Sequence, residues 1–389
     1  MKYRAIKYQV LYSIFILTVI TFSFAVIFSF TMGTHSSTSI GIDDYLNLLS
    51  TLDSEKLGRG KDVLSEQEKD RPMAYGLILS SLANSYKAMA DDDIYTVEMR
   101  LCGEWLLGNT DIDGDGIHGF GLADAWDAFG DGSVNPPHNE YTITTAIAVK
   151  GLLDWLDADP DAPQEKIKST VSLLLAPYLS GQYNSPSGIY AYSLNSNDIA
   201  YDVFNPALFL AGQMQRYSKI TENDTEILKN EADRNVKILV DNHLLDSNSN
   251  WYWNYGQSLE KLERPNDLVH ALYIAEGVRD YINHNGSNAD KIDYPRIRNH
   301  VFAFLIDGRW CEHFDRGTCH EKKVRLWAMG MLLYFLSTEP DIPSKYMDSL
   351  LDQLIADYKV EGGLLKDENQ YVRHDAHLLL GISHYLFSN

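Results

Sequence analysis

Beyond residue 40 the chain alternates two kinds of helical pattern. One is amphipathic and charged along one side, as in EKIKSTVSLLLAPYL (165–179) and ENDTEILKNEADRNVKILV (222–240). A helix patterned this way buries one stripe and leaves the other to water. The second kind is nearly uncharged and rich in small residues, as in TITTAIAVKGLL, NPALFLAGQM, VHALYIAEG, WAMGMLLYFL and AHLLLGISHYLF. A helix with no polar face is buried on almost every side. The periodicity predicts helices over 43–52 and 72–89, 94–107 and 141–156, 165–178 and 205–217, 222–243 and 267–282, 294–306 and 323–336, and 344–358 and 374–387, six pairs in all.

The second members begin near residues 73, 139, 203, 265, 323 and 373. A repeat of roughly 50–66 residues signals a solenoid or a closed ring of hairpins. Six uniformly buried helices need a shell around them, and six half-exposed helices supply it. The pattern therefore predicts an all-α domain over 41–389, an (α/α)6 toroid with long loops and short β-hairpins at one end. An open solenoid would not require a buried inner set. Connections from outer to inner helices are long (108–140, 180–202, 244–266, 307–321 and 359–371), and return connections such as 157–164 and 219–221 are short. All the long loops then emerge at one end, beside the N-termini of the inner helices. Long ordered loops carry function.

Those loops hold closely spaced aromatics beside Gly or Asn: GFGLADAWDAF with Trp126, SGIYAYSLN with Tyr190 and Tyr192, and NWYWNYGQ with Trp253 and Tyr255. Period-two spacing suggests hairpins with the rings on one face. Such rings offer flat surfaces for the C–H face of a sugar, or else plug the mouth of the toroid as ordinary core. The starts of the inner helices carry polar residues that a buried helix does not otherwise need. They include Glu140 and Tyr141, Asp202 and Asn205, Arg264, Asn266, Asp267 and His270, then Arg325, and finally Arg373, His374, Asp375 and His377. Asn266, Asp202 and Asp375 also suit helix capping when taken singly. As a set the residues converge on one concavity and are the mixture used for acid–base work on sugars.

Two chemistries fit. Hydrolysis needs a pair of carboxylates across the scissile bond, and Glu140, Asp202 and Asp267 are the candidates. Elimination or C5 epimerisation of a uronic acid needs a base and a group that neutralises the carboxylate. His270, Tyr141 or Tyr255, and Arg264 answer to that description. Trp126, Tyr190, Tyr192, Trp253, Tyr255, Arg373 and His374 are the candidate substrate-binding residues. No cofactor is required by either chemistry. The segment DIDGDG places Asp111, Asp113 and Asp115 as in the start of a calcium loop, but position 12 is Leu122. Asp124 or Asp127 would have to close the shell; the alternative is a tight acidic turn. Glu312, His313, His320 and Glu321 lack the spacing of a zinc motif and read as loop residues.

Charge narrows the partners. With 33 basic and 54 acidic residues the formal net charge is -21. Sequence-independent binding to nucleic acid or anionic lipid is thereby disfavoured, although a local basic cluster can still receive an anionic sugar. At the N-terminus Lys2, Arg4 and Lys7 precede an apolar run over 10–32. Its length and charge asymmetry favour an uncleaved single-pass anchor (1–33), with a short linker (34–40) and the globular part exported. The rival is a cleaved signal peptide. In an oxidising compartment Cys311 and Cys319 are placed to pair.

The six-hairpin pattern with Gly/Asp/aromatic loops resembles the carbohydrate-active (α/α)6 superfamily of polysaccharide lyases, unsaturated glucuronyl hydrolases and glucuronyl C5-epimerases. The segment GFGLADAWDAFGDGSVNPPHNEYTITTA (119–146) also resembles bacterial exopolysaccharide-biosynthesis proteins of the vibrio-polysaccharide cluster type. The Asn-Asn-His motif of alginate-lyase toroids is absent, so that mechanism does not transfer. The resemblance implies a protein of the bacterial inner membrane with its toroid in the periplasm, or a secreted one. It would act as lyase, epimerase or hydrolase on an extracellular or capsular polysaccharide during biosynthesis. The alternative is a non-catalytic polysaccharide-binding or export-assembly factor.

Overall fold

The computed structural model describes residues 40–389 apart from 90–92, 223, 316–317, 320–322, 361–364, 367 and 388–389. The apolar run expected to anchor the chain lies outside the described residues. Among the described residues no helix is long and apolar enough to cross a membrane.

Twelve α-helices are present among the described residues. The outer set is α1 (Ile42–Ser50), α3 (Asp93–Gly108), α5 (Gln164–Leu179), α7 (Thr225–Asp241), α9 (Tyr294–Phe302) and α11 (Ser344–Tyr358). The inner set is α2 (Pro72–Ala88), α4 (Thr142–Ala158), α6 (Phe204–Tyr217), α8 (Leu268–Asn283), α10 (Leu326–Thr338) and α12 (Val372–Phe387). Each inner helix packs on the next inner helix, and α12 packs back on α2, so the ring closes. Every inner helix also packs on the outer helix that follows it, with α12 taking α1. Burial follows the two sequence patterns. In α7 only Leu228, Ala232, Asn235, Val236 and Leu239 are buried, one stripe at helical spacing. In α6 every residue from Phe204 to Tyr217 is buried.

The inner ring is assembled from three tight pairs. A Cβ on Gly151 of α4 would lie 2.5 Å from the Gly76 carbonyl oxygen of α2. A Cβ on Gly212 would lie 2.4 Å from Gly277 O, and one on Gly381 2.4 Å from Gly330 O. The small residues of the inner helices thus let alternate neighbours touch backbone to backbone. Gly277→Ala should lower stability by about 1–3 kcal/mol, since its Cβ meets packed backbone that cannot yield. Gly108→Ala, in open space, serves as the control within about 0.5 kcal/mol. Urea midpoints of the two variants check this.

Three local expectations change. The helix predicted to reach 306 ends at Phe302, because Asp307 and Gly308 both take positive φ and turn the chain. Leu305–Ile306 then pairs antiparallel with Arg309–Trp310. The helix predicted from 323 starts at Leu326, with Arg325 extended at its N-cap. A hairpin of β1 (Arg59–Asp62) and β2 (Ser65–Asp70) fills the connection from α1 to α2. Its strands are polar throughout, so no alternation marks them. Cys311 and Cys319 are disulfide-bonded, and Cys102 is a buried free thiol.

Candidate active site

A cavity of about 510 Å³ opens at the N-terminal end of the inner ring. All six inner helices reach it through residues in their first turns or at their caps. Its mouth is built by the loop between α3 and α4. Trp126 and Asn135 exchange backbone hydrogen bonds of 3.0 and 2.9 Å, which folds the loop back on itself. The Asp127 carboxylate then accepts the Asp131 and Gly132 N–H groups at 3.2 and 2.9 Å. Asp124 fixes the loop to the α1–α2 hairpin by accepting from Lys69 Nζ at 2.5 Å and pairing with Arg71. A small apolar cluster forms the near wall: Phe129, Tyr141, Tyr192, Val203 and Leu262, with Trp126 and Tyr255 against it.

A hydrogen-bonded Asp–His pair sits at the start of α8. Asp267 is its N-cap, and one carboxylate oxygen accepts from His270 N at 3.0 Å and His270 Nδ1 at 2.6 Å. The other accepts from Arg325 Nη2 at 3.0 Å. Burial raises the affinity of Asp267 for a proton, but His270 and Arg325 outweigh it and hold the carboxyl well below its usual range. An ionised carboxylate only accepts, so His270 Nδ1 carries the hydrogen and Nε2 is the basic atom when the ring is neutral. Arg325 is oriented in turn by Glu312, which pairs with its side chain and accepts its backbone N–H at 2.8 Å. Tyr255 lies edge-on to His270 with centroids 4.9 Å apart.

One turn further on, Tyr273 also lines the cavity. Its hydroxyl is 2.6 Å from His377 Nε2, and His377 Nδ1 is 2.7 Å from Arg373 O. A carbonyl oxygen only accepts, so His377 Nδ1 donates and Nε2 receives the Tyr273 proton. Complete burial pushes His377 down to about 3, which keeps the ring neutral. Tyr273 therefore presents a lone pair to the cavity. Burial pushes both Tyr141 and Tyr255 up to about 12, so both phenols hold their protons at neutral pH. Of the bases proposed from sequence, only His270 has a basic atom free of a proton, Nε2, when its ring is neutral.

Of the residues singled out from sequence, Trp126, Tyr141, Tyr192, Asn205, Tyr255, Arg264, Asp267, His270, Arg325 and Arg373 line this cavity. Others do not. Asp202 is buried behind the loops and accepts from Ser185, Ser187, Gln257 and Ser258. Burial pushes its carboxyl up, and these donors outweigh that and hold it low, so it ties two loops together. Tyr190 is fully buried between Tyr178 and Met214, and Trp253 donates its indole N–H to Leu239 O at 2.8 Å. Both are core. The alternating aromatics do not share a face, because the segments that carry them bend between ring positions. His374 lies buried against Trp327 and Tyr371 rather than on the lining.

Glu140 is 2% exposed beneath the loop, with its side chain pressed under Gly119. Burial pushes its carboxyl up to about 8 from 4.5. A carboxyl with a raised folded value stabilises the fold fully below its unfolded value, and that contribution is lost as pH rises through the folded one. Wild-type stability should therefore fall between pH 4.5 and 8 relative to Glu140→Gln, with the difference flattening outside that window; urea midpoints across pH measure it. The Asp111, Asp113 and Asp115 carboxylates gather within 4.8 Å of one another, as a calcium loop requires. Neither proposed closing ligand joins them, since Asp124 is held by Lys69 and Arg71, and Asp127 by its own loop.

Tyr273 and Trp327 were not singled out from sequence. Tyr273 follows His270 by three residues, one helical turn along the same face, and that spacing was the available signal. Trp327 reads as one more apolar residue in WAMGMLLYFL.

Similarity to solved structures fixes the architecture. A cellobiose 2-epimerase from Bacillus thermoamylovorans is 13% identical, with 89% of this chain and 99% of that one covered and a TM-score of 0.58. An α-amylase from Clostridium perfringens is 11% identical, with 90% and 99% covered and a TM-score of 0.61. A GH76 α-mannanase from Bacteroides thetaiotaomicron is 10% identical, with 90% and 97% covered and a TM-score of 0.56. No family model and no curated protein matches the chain. At these identities the likeness is one of fold, the (α/α)6 toroid.

Proposed function

We propose that the protein is a carbohydrate-active enzyme that removes a carbon-bound proton from a sugar unit of an extracellular or capsular polysaccharide. The observation that carries this reading is the Asp267–His270 pair set in the central cavity. Among the described lining residues Asp267 is the only carboxylate, and it is committed to His270 and Arg325. Hydrolysis by two carboxylates lacks its second member there, since Glu140 and Asp202 lie elsewhere. A base held in one tautomer beside donors suits proton abstraction α to a carboxyl group. His270 Nε2 takes the proton, and the electron pair passes towards the carboxyl group. In elimination the bond to the leaving oxygen then breaks and Tyr255, still protonated, returns a proton to that oxygen. In epimerisation a proton returns to the same carbon from the other face. The sugar-processing names of the structural neighbours support the substrate class.

The exopolysaccharide context rests on residues 119–146. Export is supported by the apolar run behind Lys2, Arg4 and Lys7, and by the Cys311–Cys319 disulfide, which suits an oxidising compartment. We place the toroid in the periplasm, tethered to the inner membrane by that run. The test is a panel of acidic and neutral bacterial polysaccharides incubated with the full chain in detergent, with and without calcium, and followed by ultraviolet absorbance and mass spectrometry. A new unsaturated product identifies elimination. Inverted sugar without shortening identifies epimerisation. Shortening with gain of water, or binding with no chemistry at all, contradicts the proposal, and the second outcome favours an assembly factor.

A further inference from the structure

We propose that residues 111–117 and Glu140 form a calcium site that ties the end of α3 to the start of α4. The inference stands apart from the catalytic reading, since none of these residues lines the cavity. The loop supplies the first part of the shell. DIDGDG places Asp111, Asp113 and Asp115 at positions 1, 3 and 5, and each puts an oxygen within 4.8 Å of the other two. Gly114 and Gly116 take positive φ of 76° and 85°, which turns the backbone around the three side chains. Gly119 N donates to Thr110 O at 2.8 Å and closes the loop at its base.

An acidic turn alone does not make a site. The second observation is Glu140, which reaches the loop from the start of α4. It is 2% exposed, and its Cβ and Cγ press against Gly119 at the base of the loop. No other described residue donates a hydrogen bond to its carboxyl, and no cation pairs with it; its own backbone N–H is the one donor it meets. The charges that bear most on it are those of Asp113, Asp115 and Asp111. Tyr183, on the next long loop, stands in the fields of Asp115 and Glu140 together. A buried carboxylate that faces three others and no cation is costly, and native proteins keep few such groups without a partner. Two more oxygens in the loop are unmet. Asp111 Oδ1 is buried without a donor. The Ile117 carbonyl, at the seventh position where a calcium loop uses a backbone oxygen, accepts no hydrogen bond among the described residues.

Calcium answers these needs together. It is a hard cation that takes about six to eight oxygens, chiefly from carboxylates, backbone carbonyls and water. Asp111, Asp113, Asp115, the Ile117 carbonyl and Glu140 are all oxygen donors. Glu140 takes the part of the glutamate that a calcium loop carries at position 12, which here is Leu122. The last ligand therefore lies beyond the whole segment 118–139. The metal clamps both ends of that segment, which carries Trp126 and Phe129, and holds Tyr141, the next residue, at the cavity wall. The fall in stability predicted for Glu140 as pH rises belongs to the calcium-free chain.

Titration calorimetry of the full chain in detergent, stripped of metal with chelator, tests this with calcium chloride and with magnesium chloride. One calcium ion per chain should bind with a Kd on the order of 10⁻⁶–10⁻⁴ M, and magnesium at least about ten-fold more weakly. Glu140→Gln and Asp113→Asn should each weaken calcium about ten-fold or more. Glu165→Gln, at an exposed acid elsewhere, should leave it unchanged. Thermal midpoints give a second reading. In chelator near pH 8 Glu140→Gln should be at least as stable as the wild type, and calcium should reverse that order by raising the wild type more. No one-to-one calcium binding, magnesium bound as tightly, or calcium affinity undiminished in folded Glu140→Gln or Asp113→Asn would overturn the inference. These readouts involve no turnover, so failure of the catalytic proposal leaves them unchanged.

Discussion

His270→Gln abolishes proton exchange at the sugar carbon, with a loss of at least about 10³-fold in rate and little change in sugar affinity. General bases contribute typically 10²–10⁴-fold, and His270 is the one imidazole among the described residues that line the cavity. Glutamine keeps the size and polarity of the ring and cannot take a proton. Asp267→Asn should lose nearly as much by another route. The amide no longer demands a hydrogen from His270 Nδ1, so the ring is free to turn its basic atom away from the substrate. It also leaves Arg325 without one of its two acid partners. A pH–rate profile separates the two variants. The limb that belongs to the base disappears in His270→Gln and remains in Asp267→Asn, which keeps the imidazole. Activity retained by folded His270→Gln would remove His270 from the mechanism.

Arg279→Met lowers stability by about 3–5 kcal/mol without touching the cavity. The opposite end of the inner ring is filled by a buried ion network. Arg279 pairs with Glu276 and, at 3.1 Å, with Glu339, and donates to Thr338 Oγ1 at 2.6 Å. Tyr334 donates to Glu276, and nearby Lys150 bonds Asp154 at 2.8 Å, which in turn accepts from Arg216 at 2.7 Å. Taking one partner from a buried pair strands the other charge, at a cost of about 3–5 kcal/mol. Burial already pushes Glu276 upward and Arg279 opposes it. Without Arg279 the raised carboxyl loses more stability as pH rises through its folded value, so the variant suffers most at high pH. Replacing Arg279 and Glu276 together should recover part of the loss. Urea midpoints across pH read all three proteins, and a single variant as stable as wild type would show that the network carries no strain when broken.

The ring could be read from the chain because its two helix types differ in composition over whole elements. An uncharged run such as 205–214 needs burial on every side, and only a closed double ring provides it. The Asp267–His270 pair could be read too, because polar residues at the start of a buried helix need a reason. Contacts made across loops could not. Asp202 collects donors from 185–187 and 257–258, and nothing near 202 in the sequence announces either segment. Tyr190 and Tyr192 alternate as a strand would, yet one joins the core and the other the mouth, because the loop bends between them. Trp327 sits in an apolar run, and only the approach of Arg325 and Arg373 separates it from ordinary core. The glycine pairs were visible as small residues but not as partners, since pairing is a property of the ring.

In the proposed reaction His270, held by Asp267, removes a carbon-bound proton from an acidic sugar. Its most direct measurement is nuclear magnetic resonance of a uronate oligomer recovered from heavy water after incubation with the wild type and with His270→Gln. Deuterium is expected at the carbon next to the carboxylate, or loss of that carbon's proton into a double bond, with the wild type only. An acidic oligomer that is processed while keeping that proton, or that exchanges it equally with His270→Gln, would contradict it.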